Sequence, residues 1–216
     1  MKLELDNIEL SFDARKILSG IYLHGETGKV TGILGRNGCG KTSLLRILFG
    51  SLNPKYANIR LNGVHQKKKL FKTSKIAYLP QHKLLPNYIT IRETFTIFNL
   101  DWNDFIRLFQ SFERHQKEHI KHLSSGELRL LETYLILNSK KEIILLDEPF
   151  SFIAPIYIET IKTIINQKKK ESIIIITDHF YQDIMDISDP LYLLKDGYSK
   201  LITSREELIQ EGYLSA

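Results

Sequence analysis

Cysteine and long apolar runs are scarce in this sequence, and their scarcity excludes several classes of protein. Cys39 is the single cysteine among 216 residues, so no disulfide forms within the chain, and a reducing compartment such as the cytoplasm fits. The longest apolar runs, in "EIILLDEP" and "SIIIITDHF", are far shorter than the roughly 20 residues with which a helix crosses a bilayer. The start, "MKLELDNIELSF", lacks the basic stretch, apolar core and cleavage site of a secretion signal. We therefore expect a protein that stays inside the cell and does not span a membrane by itself.

The charge balance gives little support to a nucleic-acid partner. The net charge is +5, and a composition of 43% hydrophobic and 25% charged residues is ordinary for a globular domain with one core. The lysines stand in short separate runs, Lys67 to Lys69 and Lys168 to Lys170, which is typical of solvated surface. No nucleic acid is therefore expected among the partners.

Hydrophobic periodicity predicts an α/β fold. "KLELDNIELSF" nearly alternates apolar with polar residues, as in a half-buried strand with one slip in register, and "KVTGILG" is a second strand. The helix "TSLLRILFG" follows and ends at Gly50. After "KIAYLPQ", aromatic residues with helical spacing predict an inserted helical subdomain over about 84–124. The strands "EIILLD" and "SIIIIT" then alternate with helices, which indicates a mostly parallel sheet covered on both faces.

These elements predict one domain, residues 1–216. Its α/β core comprises 1–83 and 125–216, with a mostly parallel sheet and an N-terminal antiparallel β region. Near the end, Asp196-Gly197 predicts a hairpin turn, and a capping box formed by Ser204 and Glu207 predicts a last helix.

The stretch "GRNGCGKTS" predicts a phosphate site. Gly35, Gly40, Lys41 and Thr42 fit the pattern G-x-x-x-x-G-K-[ST], in which loop amides surround phosphate oxygens, the lysine reaches the β and γ phosphates and the hydroxyl binds Mg²⁺. The following helix directs its positive end at the same anion. Further candidate contacts to the nucleotide within the loop are Asn37, Gly38 and Cys39. Taken alone the stretch is compatible with a glycine turn and an incidental lysine, but a strand before it and a helix after it favour the phosphate site.

A pair of carboxylates is suited to complete such a site. In "EIILLDEP" an apolar strand ends at Asp147 and Glu148, at the edge where ligands of parallel sheets gather. Asp147 is predicted to hold Mg²⁺, and Glu148 to polarise the attacking water. Without the glycine loop, both acids would be read as a surface-exposed strand end.

The segment "LSSGE", Leu123 to Glu127, precedes this strand and is similar to the Leu-Ser-Gly-Gly-Gln signature of ATP-binding cassette (ABC) proteins. Over essentially its whole length the chain resembles the nucleotide-binding subunit of that family. The resemblance implies that Ser124 and Gly126 contact the γ-phosphate bound by another subunit. A serine-rich helix start is also a suitable anion site on physical grounds.

The resemblance assigns further roles in the family's order. Gln81 in "YLPQ" resembles the glutamine that senses the metal, and His179 resembles the switch histidine beside Glu148 and the γ-phosphate. Ser43 is placed at the α-phosphate. Phe12 is placed where an aromatic residue stacks on adenine, although a core position is an equal alternative for a strand aromatic. The implied catalytic residues are Glu148, His179, Lys41 and Gln81, and the implied metal ligands are Thr42, Gln81 and Asp147.

Two features depart from the pattern or lie outside it. Ala154 replaces an aspartate that in the family crosses to the other subunit, which puts the coupling of the two sites in doubt. His115, His119 and His122 have helical spacing, so one helix face is a conceivable metal site, but no acid or cysteine completes the set and a solvated helix is the preferred reading.

The sequence thus predicts an ATPase that uses ATP and Mg²⁺ and dimerises with a second ABC subunit, identical or different. Separate transmembrane permease subunits are the expected partners, which places the chain on the cytoplasmic face of the cell membrane. Tyr88, Phe95 and Phe98 are expected to form a groove for a helix of that partner. The alternatives are a soluble ABC ATPase acting on nucleic acid or translation, and a nucleotide-gated clamp with weak hydrolysis.

Overall fold

The computed structural model describes residues 1–215, which form two sheets and seven α-helices. The strands are β1 (Lys2–Phe12), β2 (Arg15–Glu26), β3 (Val30–Leu34), β4 (Tyr56–Leu61), β5 (Val64–His65), β6 (Ile76–Leu79), β7 (Ile143–Asp147), β8 (Ile173–Thr177), β9 (Leu191–Lys195) and β10 (Tyr198–Ile202). The helices are α1 (Lys41–Phe49), α2 (Ile91–Phe98), α3 (Trp102–Leu108), α4 (Ser125–Leu137), α5 (Pro155–Lys168), α6 (Tyr181–Ile187) and α7 (Arg205–Gln210). None of these helices is long and apolar enough to cross a membrane.

The larger sheet has the strand order β10-β9-β3-β8-β7-β6. Its strands are parallel except for β10, which pairs antiparallel with β9. Every residue of β3, β7 and β8 is buried, as the continuous apolar sequences predict for strands covered on both faces. The carboxyl ends of the parallel strands meet at one edge, so the segments that follow β3, β6, β7 and β8 come together there. The predicted fold is confirmed.

The smaller sheet is antiparallel, with the order β2-β1-β4-β5. In β1 the apolar side chains Leu3, Leu5, Ile8 and Leu10 are buried. Pairing with β2 shifts register at three places along β1, rather than at the one place expected. The strand β2 was not predicted from the sequence pattern.

The chain between β6 and α4 is helical, as predicted, and consists of α2, α3 and two short 3₁₀ turns. Aromatic side chains fill it, and the Phe105 ring lies 4.9 Å from the Tyr134 ring of α4, centroid to centroid. This aromatic cluster is continuous with the core against the larger sheet, so the segment does not have a separate core of its own.

Three local expectations are corrected. The histidine segment is not one helix, because residues 110–115 and 120–122 form separate 3₁₀ turns. At α7, Ser204 caps Glu207 N, but the Glu207 carboxylate accepts from Thr203 N at 2.9 Å, so the reciprocal bond of a capping box goes to the preceding residue. Phe95 is buried against Trp102, and therefore does not line a surface groove.

Candidate functional site

The glycine loop follows β3 and leads directly into α1. Gly40, the N-cap of α1, has φ of 108°, in the left-handed region that side chains rarely adopt. A Cβ at this position would meet Leu18 Cδ2 at 2.8 Å. Glycine is therefore required here by both the backbone conformation and the packing beneath the loop.

Lys41 folds back over the loop. Its Nζ donates hydrogen bonds to Gly35 O at 2.6 Å and to Arg36 O at 3.3 Å, and the residue is buried. The ammonium is thus held at the centre of the loop by backbone carbonyls. The amides of the loop and of the first turn of α1, where no acidic residue stands, complete an electropositive cradle suited to phosphate oxygens.

Asp147 lies fully buried at the end of β7 and accepts three hydroxyl hydrogen bonds. Its Oδ1 accepts from Thr42 Oγ1 at 3.2 Å and from Thr177 Oγ1 at 2.8 Å, and its Oδ2 accepts from Tyr78 OH at 3.0 Å. Burial, reinforced by the Asp147 charge, raises the pKa of Tyr78, so the phenol stays protonated and donates.

Glu148 follows with φ of 55°, which is unusual for a residue with a side chain and turns its carboxylate away from the strand. Gln81 Nε2 donates to Glu148 Oε2 at 3.0 Å, and His179 Nδ1 lies 3.8 Å from the same oxygen. The structure therefore brings together three of the four predicted catalytic residues, which come from segments following β6, β7 and β8.

Asp178 supports His179 and was missed in the sequence analysis. It is fully buried, its Oδ1 accepts from His179 N at 2.7 Å and Phe180 N at 3.1 Å, and its Oδ2 accepts from Phe150 N at 3.0 Å. Burial raises the pKa of its carboxyl. The signal available in the sequence was an acidic residue next to His179 at the end of an entirely apolar strand.

One depression of about 440 Å³ joins the glycine loop to Gln81 and Glu148. Its lining residues are Phe12, Ile17, Asn37, Gly38, Gly40, Lys41, Thr42, Ser43, Gln81 and Glu148. Phe12 is 50% exposed, so the alternative of a core position is wrong. Cys39 instead lines a second cavity, of about 340 Å³, between the loop and the C-terminal segment that includes Gly212 and Tyr213.

The donor set at this depression fits Mg²⁺. Thr42 and Gln81 line it, and the buried Asp147 Oδ1 lies 3.2 Å from Thr42 Oγ1. Magnesium prefers such oxygen ligands and retains several of its waters. Among residues 1–215 no group of three or more His, Cys, Asp or Glu is placed to hold a metal. His119 Nδ1, for example, lies 2.9 Å from Tyr88 O.

Ser124 and Gly126 lie at the start of α4 and do not line the depression of their own chain. Ser124 is the N-cap in a complete capping box: its Oγ accepts from Glu127 N at 3.3 Å and donates to Glu127 Oε2 at 2.7 Å. A Cβ on Gly126 would meet Phe152 O at 2.4 Å, so glycine permits the close approach of the Phe152 backbone. The S-x-x-E spacing was a visible signal for this box.

The departure at Ala154 falls at the N-cap of α5. No side-chain hydrogen bond caps this helix. Phe152, two residues earlier, has φ of 65° and is 76% exposed. The segment where the family pattern has an interface aspartate thus presents an aromatic side chain to the surroundings.

A glycine loop between a strand and a helix, a lysine folded over it and a buried aspartate on a nearby parallel strand together define a P-loop nucleoside triphosphatase fold. The family profile described as "ABC transporter" matches residues 18–151. The chain belongs to the ABC transporter family. ATP-binding subunits of this family are ATPases as a class.

Curated relatives include importers and exporters. The chain is 28% identical over 219 residues to the ribose import ATP-binding protein RbsA of Bacillus cereus, covering 91% of this chain but 44% of that protein. It is 27% identical over 221 residues to the lipopolysaccharide export system ATP-binding protein LptB of Haemophilus influenzae, covering 94% and 89%. The chain thus spans less than half the length of some relatives and most of the length of others.

Solved structures share the fold. An ATP-binding subunit of an ABC transporter superimposes with a TM-score of 0.81 at 21% identity, covering 100% of this chain and 95% of that one. A bacterial Atm1-family ABC exporter with ATP bound superimposes with a TM-score of 0.83 at 20% identity, covering 98% of this chain and 40% of that one.

Proposed function

We propose that this chain binds and hydrolyses MgATP as the motor subunit of an ABC transporter. The observation that carries the proposal is the convergence of Gln81 and His179 on the Glu148 carboxylate beside the glycine loop, with the Gln81 contact at 3.0 Å. A carboxylate held in this way is positioned to orient a water molecule for in-line attack on a γ-phosphate lying over Lys41.

Each part of the depression has a proposed role. The loop amides and Lys41 hold the β and γ phosphates, Ser43 contacts the α-phosphate, and Phe12 stacks on the adenine at the other end. Thr42, Asp147 and Gln81 hold Mg²⁺, which neutralises charge on the phosphates. His179 donates to the γ-phosphate, and its orientation follows from the backbone held by Asp178.

We further propose that a second cassette completes the site. Ser124 and Gly126 present a helix start away from their own depression, and this supports a role toward the phosphate of another subunit. Tyr88 is 77% exposed and Ile97 is 68% exposed on the helical segment, which supports docking of a separate membrane subunit there. The chain then works at the cytoplasmic face of the membrane. Relatives named for import and for export leave the direction of transport open.

The two alternatives differ in what they require. A soluble ATPase acting on nucleic acid or translation is expected to co-purify with ribosomes or DNA instead of with a membrane protein. A nucleotide-gated clamp with weak hydrolysis is motivated by Ala154, and it predicts dimerisation with little phosphate release. The contacts of Glu148 with Gln81 and His179 favour hydrolysis over the clamp.

The test is phosphate release by the wild-type protein and by Glu148→Gln. The amide keeps the size of the side chain but removes the charge that orients water, so we expect kcat to fall at least ~100-fold while ATP binding persists. Ser151→Ala is the matched control, because Ser151 Oγ contacts Glu148 Oε2 only weakly, at 3.4 Å. Equal phosphate release from wild type and Glu148→Gln would show that the assigned chemistry is wrong.

A further inference from the structure

A buried ion pair on α4 connects the two segments that carry Gln81 and Glu148. Arg129 is 5% exposed and Glu132 is 1% exposed, and Arg129 Nη1 lies 3.9 Å from Glu132 Oε2. Neither residue lines the nucleotide depression. Burying a charge costs free energy unless hydrogen bonds and an opposite charge compensate for the lost water. The hydrogen-bond partners of Arg129 and Glu132 therefore indicate what the two residues do.

The guanidinium of Arg129 bridges the ends of β6 and β7. Its Nη1 donates to Pro80 O at 2.7 Å, the carbonyl immediately before Gln81. Its Nη2 donates to Asp147 O and, at 3.0 Å, to Glu148 O, which Nε also contacts at 3.2 Å. A planar guanidinium fixes the relative positions of three carbonyls in a way that a single ammonium does not.

Glu132 holds the other end of the segment that carries Gln81. Its Oε1 accepts from Leu84 N at 2.8 Å and from Leu85 N at 2.9 Å. Arg129 and Glu132 are three residues apart, so they lie on the same face of α4. One helix therefore holds residues 80–85 at both ends, although this segment has no regular secondary structure of its own.

Both charged groups depend on this arrangement. Burial lowers the pKa of the Arg129 guanidinium and raises the pKa of the Glu132 carboxyl, and each charge opposes the shift of the other. Arg129 donates to the Pro80 carbonyl, and Glu132 accepts from the Leu84 and Leu85 amides, so these buried polar groups are hydrogen-bonded to one another. Because a satisfied polar network permits few alternative geometries, it fixes positions more than it adds stability.

We propose that Arg129 and Glu132 are positioning residues that make α4, the Gln81 segment and the end of β7 move as one body. The start of α4 carries Ser124, so a displacement there is transmitted directly to Gln81 and Glu148 of the same chain. This link does not involve residue 154, so it connects the start of α4 to the hydrolytic residues despite Ala154. The inference rests on the proposed function of Gln81 and Glu148.

The first experiment compares Arg129→Gln and Arg129→Lys with the wild type. For Arg129→Gln we expect kcat to fall about 10-fold or more with KM for ATP changed by less than about two-fold, since the loop contacts are untouched. Lysine keeps the charge but cannot reach all three carbonyls, so it should give an intermediate kcat. The stoichiometry of bound ATP is measured on the same samples, because a loss of folded protein lowers binding and activity together.

Lys162→Gln is the matched control. Lys162 is also a buried charge on a helix, paired with Asp183 at 2.7 Å and Asp186 at 3.0 Å, but it has no hydrogen bond to the site segments. It should lower the melting temperature without changing kcat per folded chain. If Arg129→Gln behaves in the same way as Lys162→Gln, the positioning role is refuted.

Hydrogen exchange supplies a readout that does not need hydrolysis. In Arg129→Gln, the Leu84 and Leu85 amides should exchange about 10-fold faster or more, because Glu132, which accepts from both, loses its buried partner and the other end of the segment is released. Glu132→Gln keeps Oε1 and should protect Leu84 and Leu85 better than Glu132→Ala. Unchanged exchange in Arg129→Gln would overturn the proposal. A wild type that binds but does not hydrolyse ATP contradicts the proposed function alone, and the exchange result still decides this inference.

A double-mutant cycle tests the transmission from Ser124. If the two residues act through one body, the effects of Ser124→Ala and Arg129→Gln on kcat should combine to less than the product of the single effects. Independent, multiplicative effects would show that α4 does not carry the coupling.

Discussion

At the scale of single residues, the surroundings of Cys39 in the glycine loop predict how readily its thiol reacts. Cys39 Sγ faces the cavity beside Tyr213 instead of the nucleotide depression, and burial, opposed by the Lys41 charge, raises the pKa of its thiol. The thiolate is the reactive form, so a raised pKa lowers the reactive fraction at neutral pH.

We predict that a small maleimide modifies Cys39 at least about 5-fold more slowly at pH 7.5 than it modifies a free thiol of pKa about 8.5, and that the rate keeps rising above pH 9. Tyr213→Ala should open the cavity and accelerate the reaction. Cys39→Ser, which cannot react, provides the background in mass spectrometry. A rate equal to that of a free thiol would contradict the burial of this side chain.

Motif spacing identified most of the residues that the structure brings to the depression, because Gly40, Lys41 and Thr42 belong to one short pattern with fixed spacing. It did not identify Asp178 or Arg129. Each is a buried ionisable residue that bonds a backbone group distant in sequence, Pro80 O for Arg129 and Phe150 N for Asp178. A pattern of side-chain types carries no information about which carbonyl a buried side chain will meet.

Among the elements, the start of α4 has two roles for one hydroxyl group: Ser124 Oγ forms the capping box, and it is also proposed to contact a phosphate. The Ser124 hydroxyl donates to Glu127, so the group proposed to contact a phosphate is already engaged, and the Glu127 charge stands at the same helix start. The hydrogen bond from Ser124 lowers the pKa of Glu127 below its usual value, which shows that the capping box favours the ionised form.

Glu127→Gln is predicted to preserve the cap and remove the charge, because glutamine also serves in a capping box. We expect tighter ATP-dependent association than in the wild type, most visibly at low salt, where repulsion of the phosphate is least screened. Glu127→Ala also removes the hydrogen bonds that the carboxylate accepts from Ser124 N and Oγ, and it should destabilise the protein by about 1 kcal/mol. Weaker association of Glu127→Gln, measured by light scattering, would show that the carboxylate helps the contact.

The same box makes a prediction about acid stability. Since the folded pKa of Glu127 is lowered, its contribution to stability is present above the unfolded pKa of about 4.3 and is lost as the pH falls through the folded value. The difference in unfolding free energy between wild type and Glu127→Gln should therefore shrink below about pH 4. Denaturant titrations at pH 7 and pH 3.5 measure it, and a constant difference would exclude an ionisation effect.

Elements defined by local pattern were predictable, and those defined by their partners were not. Burial of an apolar run is enough to specify the strands β7 and β8. The placement of glycines is enough to specify the turn from β3 to α1. By contrast, β2 contains Gly20 and Gly25, which weaken its strand pattern, and it is fixed by pairing with β1. The histidine segment has helical spacing, yet the bridge between Thr90 and His119 interrupts the helix.

In the whole molecule, the residues proposed to contact phosphate lie in two separate places, the glycine loop and the start of α4. The depression ends at Gln81 and Glu148, whereas the start of α4 and the exposed Phe152 face outward. A single chain therefore offers one glycine-loop cradle and one separate helix start that is proposed to contact the phosphate of another subunit. Two chains arranged so that each helix start faces the other cradle would complete two sites.

The mass of Glu148→Gln protein in solution, measured with and without MgATP, tests this arrangement directly. Because the substitution slows hydrolysis, ATP should persist and hold two chains together, and we expect a shift from monomer to dimer at saturating ATP. Lys41→Ala combined with Glu148→Gln is the control, since loss of the phosphate contact should abolish the shift. If Glu148→Gln binds ATP but remains monomeric, one chain does not complete the other's site, and a different cassette or the membrane subunits must supply the missing contacts.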